Sequence, residues 1–268
     1  MIDKIAKQIK SKLKSFKPET LIILGSGLGS LADDIKNPIT IPYSKIEGFP
    51  QSTVSGHKGN LIIGSLEGKD VICMQGRFHL YEGYPPQIIN TVFKAFKLIG
   101  IKNLVVTNAA GSLSKKMPAG SIMLISDHIN FSGQNPLIGP NDDKFGPRFP
   151  DVSDAYHTAF RSKAKEIAKA KKIKLHEGTY LMVIGPNFET AAEIKAFQIL
   201  GANAVGMSTV PEVLCAVYCG MKVLGFSVIT NLGTGLQTSS QSHSETLAEG
   251  QKAAQKLTLL VKSFVKET

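Results

Sequence analysis

Glycine-flanked hydroxyls, an arginine two residues from a histidine, and carboxylate or carboxamide side chains at the ends of apolar runs are the residues of this sequence best suited to a small polar ligand. Ser26 lies in Leu24-Gly25-Ser26-Gly27-Leu28-Gly29-Ser30, directly after Leu21-Ile22-Ile23. A strand that enters a glycine turn and then a helix start offers backbone N–H groups to an anion. The dinucleotide pattern G-x-G-x-x-G is not met, because the third glycine comes one residue early, with Ser30 in its place. Asp33 and Asp34 come too soon for a ribose-binding acid, and Glu47 lies beyond a proline-containing stretch. The loop therefore reads as a small-anion site or as a plain strand-to-helix turn.

A second cluster, Gly76-Arg77-Phe78-His79-Leu80-Tyr81-Glu82-Gly83-Tyr84, leaves an apolar run and ends at Pro85-Pro86, which suits a first helical turn. Arg77 and His79 share one side of an extended segment and could both donate to a phosphate, the arginine bidentately. A surface salt bridge would use the same residues. His57, in Ser55-Gly56-His57-Lys58-Gly59, is a further donor or a turn histidine. Thr190-x-x-Glu193, Thr209-x-x-Glu212 and Ser242-x-x-Glu245 fit the capping box and mark three helix starts. Glu189, Ser208 and His243 stand at or just before them. Ser208 would face the positive end of its helix; Glu189 could merely complement a dipole, and His243 could be solvated. Asn108-Ala109-Ala110-Gly111 and Asn231 each follow an apolar strand as small polar loops, where open α/β sheets place ligands, though Asn231 could simply bond a turn backbone.

The elements that would position these residues alternate along the chain. Residues 21–25, 61–66, 71–75, 103–107, 121–126, 179–184 and 223–230 read as strands, and 85–99, 154–174, 190–200, 210–219 and 243–266 as helices. The class is α/β. Glu67-Gly68-Lys69-Asp70 joins two strands as a hairpin, so the sheet is mixed. No linker, charge block or repeat divides residues 1–268, which predicts a single domain. Residues 129–152, rich in Gly, Pro, Asn and Asp, form the longest irregular segment, a length usually tied to function. Its Phe131, Phe145 and Phe149 need a surface to cover, and a neighbouring subunit would supply one.

Composition narrows the partners. With 43% hydrophobic and 19% charged residues the chain can fold on a core, and no apolar run approaches a membrane span. Met1-Ile2-Asp3-Lys4 leads into no apolar secretory stretch. Three cysteines, an odd number, fit a reduced compartment, and Cys215 and Cys219 lack the nearby histidines of a metal site. A cytoplasmic protein without metal is expected. The net charge of +10 resides in residues 1–17 and 161–174, each with helical apolar spacing, so the lysines read as wet helix faces. They carry too few aromatics to stack bases, which argues against nucleic acid.

Taken in order, GSGLG (25–29), SGHKGNL (55–61), GRFHLYEGY (76–84), TNAAGSL (107–113), GQNPLIGPND (133–142), GPNFET (185–190), AVGMSTVPE (204–212) and GFSVITN (225–231) closely resemble the trimeric purine nucleoside phosphorylase family over nearly the whole chain. The resemblance implies a mixed, distorted barrel-like sheet wrapped by helices, a homotrimer, and cleavage of the N9–ribose bond by inorganic phosphate as co-substrate, with no cofactor. It implies that Ser26, His57, Arg77, His79, Ala109 and Ser208 hold phosphate. Tyr81, Met207 and His243 would take the ribose, with Phe145 crossing from the neighbouring subunit, while Phe188, Glu189, Val205 and Asn231 would hold the base. His79, Glu189 and Asn231 are the expected catalytic residues.

The chemistry of that step suits those residue types. As the glycosidic bond stretches, the purine gains negative charge and the ribose becomes cation-like. Asn231 can accept from protonated N7 and donate to O6, and Glu189 can accept from N1–H. A 6-aminopurine sets donor against donor and lone pair against carboxylate, so inosine and guanosine are expected over adenosine. A methylthioadenosine phosphorylase is the rival reading; that family typically has Asp at the position of Asn231 and an apolar residue at that of His243. The chain departs from vertebrate family members at Leu232, where they carry Lys, and its segment 232–241 reads as a mobile lid.

Overall fold

The computed structural model describes residues 1–54, 56–236 and 243–268, except that the side chains of 243–252 lie outside the description. In chain order the elements are α1 (Ile2–Lys10), β1 (Thr20–Leu24), β2 (Lys36–Pro42), β3 (Asn60–Leu66), β4 (Lys69–Gln75), α2 (Gln87–Ile99), β5 (Asn103–Ser112), β6 (Ile122–Asn130), α3 (Thr158–Ala170), β7 (Leu175–Met182), α4 (Ala191–Ile199), β8 (Ala204–Gly206), α5 (Val210–Tyr218), β9 (Lys222–Leu232) and α6 (His243–Glu267).

The nine strands among the described residues join one sheet in the order β2-β3-β4-β1-β5-β8-β7-β6-β9, and β5 also pairs with β9. That last pairing closes β5, β8, β7, β6 and β9 into a ring, and the remaining strands continue from β5 as an open wing. β1 runs parallel to both β4 and β5, and β5 parallel to β9, so the C-terminal ends of these strands gather on one side. The β3–β4 hairpin is antiparallel. Glu67 and Gly68 at its turn have φ of 50° and 84°, the left-handed pair that matches strand twist.

Strand periodicity of two divides the core. Leu21 and Ile23 of β1 face a cluster built with α1, α2 and α5, whereas Ile22 and Leu24 face one built with α3 and α6. A third cluster packs α4 against β7 and β8 through Ile194, Phe197, Leu181 and Val205. The basic helices turn their apolar stripes inward: Ile5, Ile9, Ala164 and Ile167 are buried while Lys4, Lys7, Lys10, Lys165 and Lys169 are exposed. Cys73, Cys215 and Cys219 are free and buried. Among the described residues no helix is long and apolar enough to cross a membrane.

Several boundaries differ from the sequence reading. α3 begins at Thr158 rather than 154, because Asp154 Oδ1 accepts from the Thr158 N–H at 2.8 Å and from its hydroxyl at 2.7 Å. Residues 108–112 continue β5 instead of forming a loop, paired with β9 to Ser112–Leu232. The segment between β6 and α3 is irregular but anchored. Tyr218 Oη of α5 donates to Asn141 Oδ1 at 3.0 Å and Asp142 O at 2.9 Å, and Lys97 Nζ donates to Phe145 O at 2.7 Å.

Candidate active site

A cavity of about 380 Å³ opens where the strands end. β1 delivers Gly25 and Ser26; the chain after β4 delivers Arg77, His79 and Tyr81; β5 supplies Ala109–Gly111 and β9 supplies Thr230 and Asn231. The loop after β7 brings Pro186, Phe188 and Glu189, while Val205–Ser208 arrive on β8 and the approach to α5. Small residues permit the convergence. A Cβ on Gly25 would lie 2.7 Å from Asn108 Cα and 2.8 Å from Thr107 O, so only glycine lets β1 pass β5 this closely.

One end of the cavity is organised by Arg77, which is 1% exposed. Its Nη1 donates to Ser208 Oγ at 2.8 Å and Thr209 Oγ1 at 2.9 Å, and its Nη2 donates to Thr107 O at 2.6 Å. Nε lies 3.3 Å from Glu212 Oε1, an ion pair without hydrogen-bond geometry. Three of the five N–H groups thus donate, leaving one hydrogen on Nη2 free for a ligand and the Nε hydrogen facing Glu212. The bidentate arginine expected from sequence is corrected accordingly: two of the hydrogens that would form the fork hold Ser208 and Thr209.

Two histidines stand beside it. Burial, then the charge of His79, pushes the His57 pKa down to about 4. Its Nδ1 lies 2.8 Å from Arg77 O and 3.1 Å from the Arg77 backbone nitrogen; the shorter contact is to a carbonyl, which can only accept, so the hydrogen is assigned to Nδ1 and Nε2 is left to accept from Ser26 Oγ at 3.0 Å. Burial also lowers His79, against the pull of Glu82, so the neutral ring prevails near pH 7. Glu82 Oε1 accepts from the His79 backbone N–H at 2.6 Å and faces Nδ1 at 3.2 Å. Burial raises Glu82, but these bonds and two from Thr53 overcome it and hold the carboxyl at about 2. With Nδ1–H spent on Glu82, His79 has an Nε2 lone pair left; it suits a protonated phosphate oxygen as acceptor, rather than donating as the sequence suggested. His57, His79 and Tyr81 stack in series at 5.2 and 4.7 Å between ring centroids.

Two further polar residues line the cavity, Glu189 and Asn231. Glu189 is 8% exposed and burial raises its pKa. Asn231 Oδ1 accepts from Thr230 Oγ1 at 2.8 Å and its Nδ2 donates to Leu232 O at 3.1 Å, leaving one lone pair and one hydrogen. Gly111 keeps that face open, since a Cβ there would sit 3.2 Å from Asn231 Nδ2. Thr190 and Glu193 form the expected capping box directly behind Glu189, which fixes the helix start that presents it.

Ser26, Arg77, His79, Ala109, Ser208, Tyr81, Met207, Phe188, Glu189, Val205 and Asn231 all line this one cavity. His57 sits behind Ser26 rather than on the wall. The His243 side chain, the Ser242 cap and most of the expected lid, 237–241, lie outside the described residues. Phe145, expected to reach a neighbour, has its ring 3% exposed in the chain's own core, under Lys94 at 5.2 Å. Phe149, four residues on, is 87% exposed. Thr209 and Glu212 do not form a capping box either; Arg77 takes the threonine hydroxyl and the glutamate carboxylate. Thr209, Glu212 and Thr230 escaped the sequence reading as site residues, and the only trace of the first two was a cap signature.

Residues 19–266 match the family model of the phosphorylase superfamily. Purine nucleoside phosphorylase 1 of Bacillus subtilis is 47% identical over 264 residues, 98% of this chain and 97% of that protein. The Bos taurus purine nucleoside phosphorylase is 51% identical over 249 residues, 90% of this chain and 86% of that one. The chain belongs to the purine nucleoside phosphorylase family. A solved Schistosoma mansoni purine nucleoside phosphorylase in complex with inosine superposes with a TM-score of 0.94 at 40% identity, covering 100% of this chain and 96% of that one. A second Schistosoma mansoni structure, in complex with adenosine, gives 0.94 at 41% identity over 99% of this chain and 96% of that one. A purine nucleoside phosphorylase of this family must bring an anion and a purine to one sugar, and one cavity here is lined by Arg77, His79 and Ser208 as well as by Glu189 and Asn231.

Proposed function

We propose that this phosphorylase catalyses reversible phosphorolysis of 6-oxopurine ribo- and deoxyribonucleosides, giving free base and (deoxy)ribose 1-phosphate. The observation that carries the reading is the meeting of an Arg77-centred anion end and a Glu189–Asn231 end in a single cavity. Phosphate lies among Ser26, Arg77, His79, the Ala109 backbone and Ser208, with His57 holding Ser26. Tyr81, Met207 and His243 border the ribose; Phe188 and Val205 cover the base. Glu189 accepts from N1–H, and the remaining lone pair and hydrogen of Asn231 meet N7–H and O6. Negative charge that gathers on the purine as the bond breaks is thereby received by groups already in place. No cofactor enters this scheme.

The same proposal treats residues 1–268 as one domain, assembled as a homotrimer in the cytoplasm. Buried free thiols fit a reducing compartment. Phe149, 87% exposed, and Ile138, 63% exposed, offer apolar surface to a neighbouring copy. The deciding experiment is incubation with inosine, with and without phosphate, following hypoxanthine. Product that requires phosphate is expected, with adenosine and methylthioadenosine turned over far more slowly; phosphate-independent release, or faster cleavage of methylthioadenosine, would sink the reading. Since the Schistosoma relatives are solved with adenosine as well as inosine, discrimination is to be read in turnover. Glu189→Ala should lower kcat/KM for inosine by several orders of magnitude. A loss under about tenfold would reduce the carboxylate to a neighbour of the helix cap.

A further inference from the structure

Thr209 is fully buried in the wall behind the anion end, with φ of 77° and ψ of −49°. The Val210 N–H donates to Ser208 O at 2.9 Å, so Thr209 is the central residue of a γ-turn. That conformation is rare and strained, more so for a β-branched side chain, and persists only where the surroundings over-determine it. Its hydroxyl makes no cap bond to α5. Instead it accepts from Arg77 Nη1 at 2.9 Å and from Asn108 Nδ2 at 2.9 Å, and lies 3.2 Å from Ser208 Oγ.

A hydroxyl has two lone pairs and one hydrogen. The guanidinium and the amide nitrogen, both donors, fill the two lone pairs of Thr209, so its hydrogen goes to Ser208 Oγ. That oxygen already accepts from Arg77 Nη1 at 2.8 Å. Receiving the Thr209 hydrogen fills its second lone pair and turns the Ser208 hydrogen away from Thr209, toward the Tyr180 hydroxyl, which also accepts from the Ser208 N–H at 3.3 Å, or the cavity that Ser208 lines. A charged anion in the cavity is the stronger acceptor of the two. Ser26, the other hydroxyl at this end, donates to His57 Nε2. The geometry points to Thr209 as a positioning residue that fixes the Ser208 hydroxyl as a hydrogen-bond donor aimed into the anion end. The inference rests on the reading of that end as the phosphate site. In its terms, the γ-turn is what brings the Thr209 oxygen within reach of Arg77, Asn108 and Ser208 together.

The test is steady-state kinetics with inosine and phosphate. Thr209→Val keeps the β-branch and removes the hydroxyl. It should raise KM for phosphate by about tenfold or more, the scale of one misdirected hydrogen bond to a charged group, and leave KM for inosine within about twofold. Thr209→Ser restores the donor chain and should bring the phosphate KM back to within about threefold of the parent. In a Ser208→Ala background, adding Thr209→Val should change the phosphate KM by less than about twofold. The proposal is overturned by an unchanged phosphate KM in Thr209→Val, by an equal rise in both KM values, or by the same factor in both backgrounds. Should Thr209→Val fail to fold, Thr209→Ala carries the same expectations with less crowding at the turn. Ser208→Ala alone keeps the two readings apart: if it leaves the phosphate KM unmoved, the phosphate assignment of this end fails, whatever Thr209 does.

Discussion

Charge at the anion end is largely balanced within the protein. Arg77 is paired with Glu212, and the two histidines are held neutral by burial. His57 makes this measurable. Its folded pKa of about 4 lies below the ordinary histidine value of 6.5, so between those values the unfolded chain binds a proton that the folded one refuses. Stability attributable to His57 is intact above pH 6.5 and lost as pH falls through the folded pKa. Melting temperature should therefore drop as pH goes from about 6.5 to 4, and His57→Gln should flatten part of that slope. A slope unchanged by the substitution would show that the ring titrates normally. Chemical types were legible at this scale, since Ser26, Arg77, His79, Glu189 and Asn231 were all singled out and all reach one cavity. Direction was not. Which hydrogens Arg77 has left, and which nitrogen of His79 carries one, depend on partners up to 132 residues away in the chain.

Among elements, strands with unbroken apolar runs declared themselves, and those without did not. β2, KNPITIP, carries Pro38 and Pro42 and lies at the sheet edge, the place where proline is tolerated in a sheet. Its composition hides it for the same reason that it can sit there. β8 is three residues long, too short to show a period. The Asn-Ala-Ala-Gly end of β5 looks like a loop because those residues are poor strand formers, yet their smallness lets the strand form the cavity wall. The crossing of β1 and β5 at Gly25 gives a test with its own control. Gly25→Ala pushes a methyl into the β5 backbone and should cost about 1–3 kcal/mol, with a lower melting temperature and a weaker hold on phosphate. Gly29→Ala, where the nearest atom is a side-chain carbon at 4.0 Å, should leave the melt within about one degree. Equal behaviour of the two would mean that the strands are not in such close contact.

For the molecule as a whole, the class, the mixed sheet and the family motifs were readable, whereas the face each aromatic presents was not. Phe145 and Phe149 occupy the same kind of Gly/Pro-rich sequence; they are separated by Gly146, whose Cβ would lie 2.0 Å from Tyr218 O and which therefore pins the chain to α5. Phe145 is drawn into the core by that contact, and Phe149 is left outside. Phe145→Ala should cost about 3–5 kcal/mol in unfolding experiments. Phe149→Ala should leave protomer stability nearly unchanged while raising KM for inosine if the ring serves a neighbouring copy. Equal destabilisation by both would mean that Phe145 does not belong to the core.

The pairing of β5 with β9 runs from Asn103–Lys222 to Ser112–Leu232, and it carries Ala109, Ala110 and Gly111 on one strand and Thr230 and Asn231 on the other. The floor beneath any ligand is thus closed into a ring and stepped once, by a one-residue bulge that leaves Thr230 without a partner between the Ala110–Ile229 and Gly111–Asn231 pairs. Its rim, at Val54 and at Pro186–Glu189, is irregular chain. Entry and exit fall to the rim, because two strands paired on both sides of that bulge cannot part at one end of a nucleoside without disturbing the other.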